Sequence, residues 1–160
     1  MCGLQRSTKA RLLPLAFRVA VGALILGGCG IFDRSFEAMI PRHPEEPSTM
    51  LLPLVVHDRT GLVLGIVNTS KSGQTPLSDV GVAPVDGDPS TLLVYWIGGS
   101  CDRAIDMTLV GDTRYKLTIA THMGDGACDA NGYGRALLLH MQRPVAPEMF
   151  DVYSTFPDAR

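Results

Sequence analysis

The sequence lacks any apolar run long enough to cross a membrane as a helix, which takes about 20 residues. The strongest apolar stretch, 19–28 (VAVGALILGG), has ten residues, and Arg18 cuts it off from the apolar residues before it. An amphipathic helical period and an internal repeat are missing too, so a helical bundle and a solenoid are set aside. Closely spaced metal ligands are also lacking. His43, His57, His122 and His140 stand far apart, and no H-x-H, H-E-x-x-H or C-x-x-C pattern occurs. Residues 129–134 (DANGYG) begin as an EF-hand loop does, but Tyr133 takes its fifth position and His140 the twelfth, where calcium needs a bidentate Glu. Gly98-Gly99-Ser100-Cys101-Asp102 has Asp where a nucleophile elbow has its second glycine, and no strand-to-helix pattern surrounds it. These gaps lead to an expectation of no catalytic residue, no metal and no cofactor, with Asp102 and Asp106 read as solvated acids.

Positive charge is scarce where it would matter. Arg6, Lys9, Arg11 and Arg18 precede the apolar stretch, and no acidic residue does. Without those four, 10 basic residues face 16 acidic ones, a net charge of −6, with no basic cluster. Nucleic acid is therefore not an expected partner.

What is present at the start is a leader. A basic segment, a short apolar core and small residues at the junction mark a secretory signal peptide, here 1–28. The junction reads Leu26-Gly27-Gly28-Cys29, and it resembles the lipobox of bacterial lipoprotein precursors. The resemblance implies diacylglycerol on the Cys29 sulfur, cleavage just before it and a further acyl chain such as palmitate on the new amino terminus. One chain anchors a protein only marginally, and two or three anchor it durably. The implied location is the extracytoplasmic face of the cell membrane or outer membrane. Gly30, rather than Asp, follows the cysteine, which resembles lipoproteins not retained at the inner membrane. Of four cysteines, Cys2 leaves with the leader and Cys29 takes the lipid. Cys101 and Cys128 remain, and in an oxidising compartment they are expected to form a disulfide.

Residues 29–49 carry Pro41, Pro44, Pro47 and the pair Glu45–Glu46. They read as a lipidated, proline-rich tether, extended at about 3.1 Å per residue, with 35–40 at most one helical turn. From residue 50 the pattern is β. Short runs at 51–56, 62–67 and 91–97 join alternating stretches at 104–110, 115–119 and 137–142, with a last strand at 150–153. The run 91–97 (TLLVYWI) is apolar on both faces, as in a strand buried on both sides. Residues 70–90 read as a long loop around one weak strand, 80–83. About seven short strands with glycine and proline turns predict an all-β domain at 50–160. The expected form is an antiparallel β-sandwich, immunoglobulin-like, with a small partly open β-barrel as the alternative.

The residues Trp96, Gly98, Gly99 and Cys101, then Cys128, Ala130, Gly132 and Arg135, form W-x-G-G-x-C and C-x-A-x-G-x-x-R. This looks like small, uncharacterised lipoproteins of bacteria with GC-rich genomes, and the resemblance implies no activity. Trp96 is expected in the core. Asp129, Asn131, Tyr133 and Arg135 make a candidate binding loop, with Tyr133 its exposed aromatic and Arg135 bonding loop carbonyls or an external anion. The functional expectation is a non-enzymatic module, anchored to the membrane through Cys29, that binds or scaffolds an envelope protein or other ligand. The competing expectation is a small envelope hydrolase or metal-dependent enzyme with a site near the disulfide-linked loops, around Asp102, His122 or Asp129.

Overall fold

The chain divides into two units, Met1–Ile31 and Phe32–Arg160. A computed structural model describes residues 33–67, 80–125, 128 and 131–157, all of them in the second unit. The expected leader (1–28), Cys29, residues 70–79 of the expected loop and Asp129 lie outside the described residues. Nine strands are described: β1 Arg34–Ile40, β2 Leu52–Asp58, β3 Val63–Val67, β4 Val80–Val85, β5 Asp88–Gly99, β6 Asp102–Gly111, β7 Tyr115–Met123, β8 Gly132–Met141 and β9 Phe150–Thr155. They form two sheets, β1-β2-β6-β7-β9 and β3-β8-β5-β4. Among the described residues no helix is long and apolar enough to cross a membrane.

Period-two alternation builds the sandwich, because successive side chains on a strand point to opposite faces. Leu52, Leu54 and Val56 of β2, Ile105, Met107 and Leu109 of β6, and Leu117 and Ile119 of β7 turn inward from one sheet. Leu92, Val94 and Trp96 of β5 and Leu137, Leu139 and Met141 of β8 meet them from the other, in one buried cluster. Trp96 is in the core, 1% exposed. The opposite face of β5, with Leu93, Tyr95 and Ile97, is only half-buried, so the strand is not enclosed on both sides. Pro84 is tolerated because β4 is an edge strand, where a missing N–H costs no ladder bond.

Three features differ from the expected layout. The sheets are mixed rather than purely antiparallel: β2 pairs parallel with β6, and β7 parallel with β9. The weak strand at 80–83 is half of a hairpin, since β4 turns at Asp86-Gly87 straight into β5, with Gly87 at φ 78°. The third difference is the tether. Residues 34–40 form a strand, not a helical turn, and β1 pairs antiparallel with β2 along its whole length. Phe36, Ala38 and Ile40 alternate toward the core while Glu37 and Met39 face out. The proline-rich stretch that follows carries Glu46, 6% exposed, into the protein. The fold therefore begins near Arg34, some sixteen positions before the boundary expected at residue 50.

Two loops show how the ends are closed. Buried Asp58 accepts hydrogen bonds from the Thr60 and Val63 amides and the Thr60 hydroxyl, at 2.8, 2.9 and 2.6 Å, and so fixes the β2–β3 turn. Gly111, at φ 121°, starts the β6–β7 turn, and a Cβ there would lie 2.0 Å from the Arg114 carbonyl oxygen.

Candidate functional site

The end of the sandwich where β1 finishes and β6 begins holds a cluster of four charged side chains. Arg135, on β8, is 3% exposed. Its Nη1 and Nη2 donate to the two Glu46 carboxylate oxygens at 3.0 and 3.2 Å, and Nη2 also donates to the Gly99 carbonyl at 2.9 Å. Its Nε donates to Asp102 Oδ2 at 3.0 Å, which also accepts the Gly99 amide at 2.9 Å. Arg42 donates to Glu46 from the other side and to the Asp102 carbonyl. Burial alone would raise the Glu46 carboxyl; hydrogen bonds and charge from Arg135 and Arg42 outweigh it and hold the pKa below its ordinary value.

This cluster explains the glycine pair. A Cβ on Gly98 would lie 2.3 Å from both Arg135 Nε and Asp102 Oδ2, so only glycine lets the ion pair press against the strand. A Cβ on Gly132 would lie 2.7 Å from Ile97 Cγ2. Beside the cluster, Cys101 and Cys128 form a disulfide with Cα atoms 5.4 Å apart. It ties the loop between β5 and β6 to the segment before β8. The bond thus sits at the end of the sandwich, not between strand interiors as in immunoglobulin domains.

The candidate loop does not assemble as an exposed surface. Tyr133, expected to be exposed, is 6% exposed and packs against His43 with ring centroids 5.8 Å apart. Arg135 bonds the carbonyl of Gly99 at the end of β5, but its principal partners are two carboxylates, and each of its three nitrogens is engaged inside the protein. Asn131 is exposed. The acids also separate: a β-bulge between Asp102 and Ala104 shifts the register, so Asp102 turns inward while Asp106 faces out. Asp102, 1% exposed, is thus not a solvated acid. Asp106 accepts or shares a proton with His122 Nε2 at 2.9 Å on the outer face of its sheet. Among the described residues no three His, Cys, Asp or Glu side chains gather as a metal site requires.

What the same end does present is a groove of about 620 Å³. Its lining combines the apolar side chains of Met39, Met50, Leu51 and Pro53 with the charged Arg42, Asp102, Arg103 and Asp125. Met39, Met50 and Leu51 are 51%, 73% and 51% exposed, and three large apolar side chains held in water around one groove are unusual for a surface. The unbranched thioether chains of Met39 and Met50 adapt to irregular surfaces. Arg103 lies across Gly124, where a Cβ would fall 1.8 Å from its Nε, and donates to the Asp125 carbonyl at 3.3 Å. The sequence reading missed this groove because Met39 lay in the supposed tether and Met50 at its boundary.

The fold and this end together define an all-β, two-sheet sandwich closed by a disulfide and a buried ion cluster, with an open, partly apolar groove beside them. Comparison of the chain with protein-family models, with curated proteins and with solved structures finds no match.

Proposed function

We propose that the chain is a lipid-anchored, extracytoplasmic module of a bacterial cell envelope that binds or scaffolds another envelope component without catalysing a reaction. The observation that carries the reading is Leu26-Gly27-Gly28-Cys29 behind a basic and apolar leader. The Cys101–Cys128 bond supports it, because disulfides persist in oxidising compartments. At the functional end, Asp102 is engaged by Arg135, and His122 pairs with Asp106 on the outer face. An open, partly apolar groove lies at the same end, and it supports binding over the competing hydrolase or metal enzyme.

Cys29→Ser tests the anchor. The variant is expected to leave the membrane fraction and remain folded, while the parent carries the added mass of diacylglycerol and acyl chains. Recovery of the variant in the membrane fraction, at the same mass as the parent, would refute lipidation at Cys29.

A further inference from the structure

We infer that the Cys101–Cys128 disulfide is a reversible redox site, opened in the folded protein by a dithiol that attacks the Cys128 sulfur. This goes beyond the binding-module reading and holds with or without lipid on Cys29.

The two cysteines differ in access. Cys128 is exposed and lies outside the strands, before β8 begins at Gly132, whereas Cys101 is half-buried. Cys101 sits in the short turn between β5 and β6 and lines the groove. In thiol–disulfide exchange a thiolate must reach one sulfur and displace the other, and exposed disulfides are the labile and regulatory ones. Access therefore selects Cys128 as the point of attack and Cys101 as the leaving group.

The folded chain is also closed here without the bond. Strands β6 and β7 pair from Gly111 and Tyr115 back to Asp102 and Met123, and the Gly124 amide donates to the Cys101 carbonyl at 2.9 Å. Hydrogen bonds thus join Cys101 to Gly124, and the disulfide adds only the tie from Gly124 to Cys128. Asp102, next to Cys101, is held by the Arg135 Nε and the Gly99 amide, and its carbonyl accepts from Arg42. β8 is fixed from its first residue, where Gly132 pairs with Gly99. A disulfide stabilises mainly by constraining the unfolded chain. Breaking this one lowers stability and leaves the folded frame standing, so opening is local.

The exchange transfers two electrons from the dithiol. One of its thiolates bonds Cys128 Sγ as the Cys101–Cys128 bond breaks, and Cys101 leaves as a thiolate that takes a proton from solvent. The second thiolate of the donor then displaces Cys128, which takes a proton in turn. The donor is left as a disulfide, and the groove lining gains a thiol at Cys101.

The test uses the full chain in detergent with Cys2→Ser and Cys29→Ser, so that this pair holds the only cysteines and the outcome is separate from that of the anchor. Dithiothreitol is added at pH 8 and 25 °C, and free thiols are counted by iodoacetamide labelling and mass. The rate should rise in proportion to dithiothreitol and change less than twofold in 1 M urea, while far-UV circular dichroism is retained. Reduction that waits for global unfolding would instead speed up about tenfold in 1 M urea. A brief pulse of glutathione, quenched with acid, should place the mixed disulfide on Cys128 in at least tenfold excess over Cys101. Oxidised glutathione added after the dithiol is removed should restore the bond and the parent melting temperature. Resistance to dithiothreitol without denaturant, a rate that follows unfolding, loss of the circular dichroism signal on reduction, or glutathione on Cys101 in equal or greater amount would overturn the proposal.

Discussion

Replacing Arg135 with methionine keeps most of the buried stem and removes the charge that holds the end of the sandwich together. Two buried carboxylates lose their main partner at once. Glu46, whose side chain is fully buried, would keep Arg42 and the His43 amide, and Asp102 would keep the Gly99 amide. Breaking a buried ion pair by removing one partner costs about 3–5 kcal/mol, since the remaining charge is left without compensation. Arg42 still serves Glu46, so the lower half of that range, about 3–4 kcal/mol, is expected. A domain of this length loses roughly 3–5 °C per kcal/mol, so the melting temperature should fall by about 10–20 °C. The assay is thermal and urea unfolding followed by far-UV circular dichroism at pH 7, with the disulfide intact. Glu46→Gln and the double variant complete a cycle, and a coupling of at least about 1 kcal/mol is expected for groups in one network. A loss under about 1 kcal/mol for Arg135→Met, with an unchanged urea slope, would refute the claim that this cluster organises the fold.

Two further outcomes follow from the same end of the molecule. Glu46 has a folded-state pKa below its ordinary value of 4.5, so its contribution is present above the unfolded carboxylate pKa and is lost as pH falls through the lowered one. Urea midpoints should therefore drop as pH is taken from about 5 toward 3, and Glu46→Gln should flatten that drop; an unchanged acid slope in the variant would exclude Glu46 as a source. Reduction of Cys101–Cys128, which are 27 positions apart, frees a loop worth about 3.6 kcal/mol on the chain-entropy estimate. Melting should then fall by about 10–15 °C, and two free thiols in protein isolated from the envelope would contradict the compartment as well as the closure of this end.

Much of the sandwich was legible because β6, β7 and β8 bury every second residue and say so in their alternation. β1 carries the same signal in Phe36, Ala38 and Ile40, but an edge strand buries Phe36 and Ala38 only partly. Three prolines nearby then argued for a spacer. The parallel pairs were not legible, since β2 and β6 meet through contacts about fifty positions apart, and no local pattern encodes such pairing. Glu46 was hidden for the same reason: it lies 89 positions from Arg135, and a Glu beside prolines reads as solvated until its partner is known. The described part of the pattern W-x-G-G-x-C with C-x-A-x-G-x-x-R has a physical account. Trp96 fills the core, Gly98 makes room for Arg135 and Asp102, the cysteines close the end, and Gly132 clears Ile97. Each of these residues packs, bonds or makes room within the frame at this end.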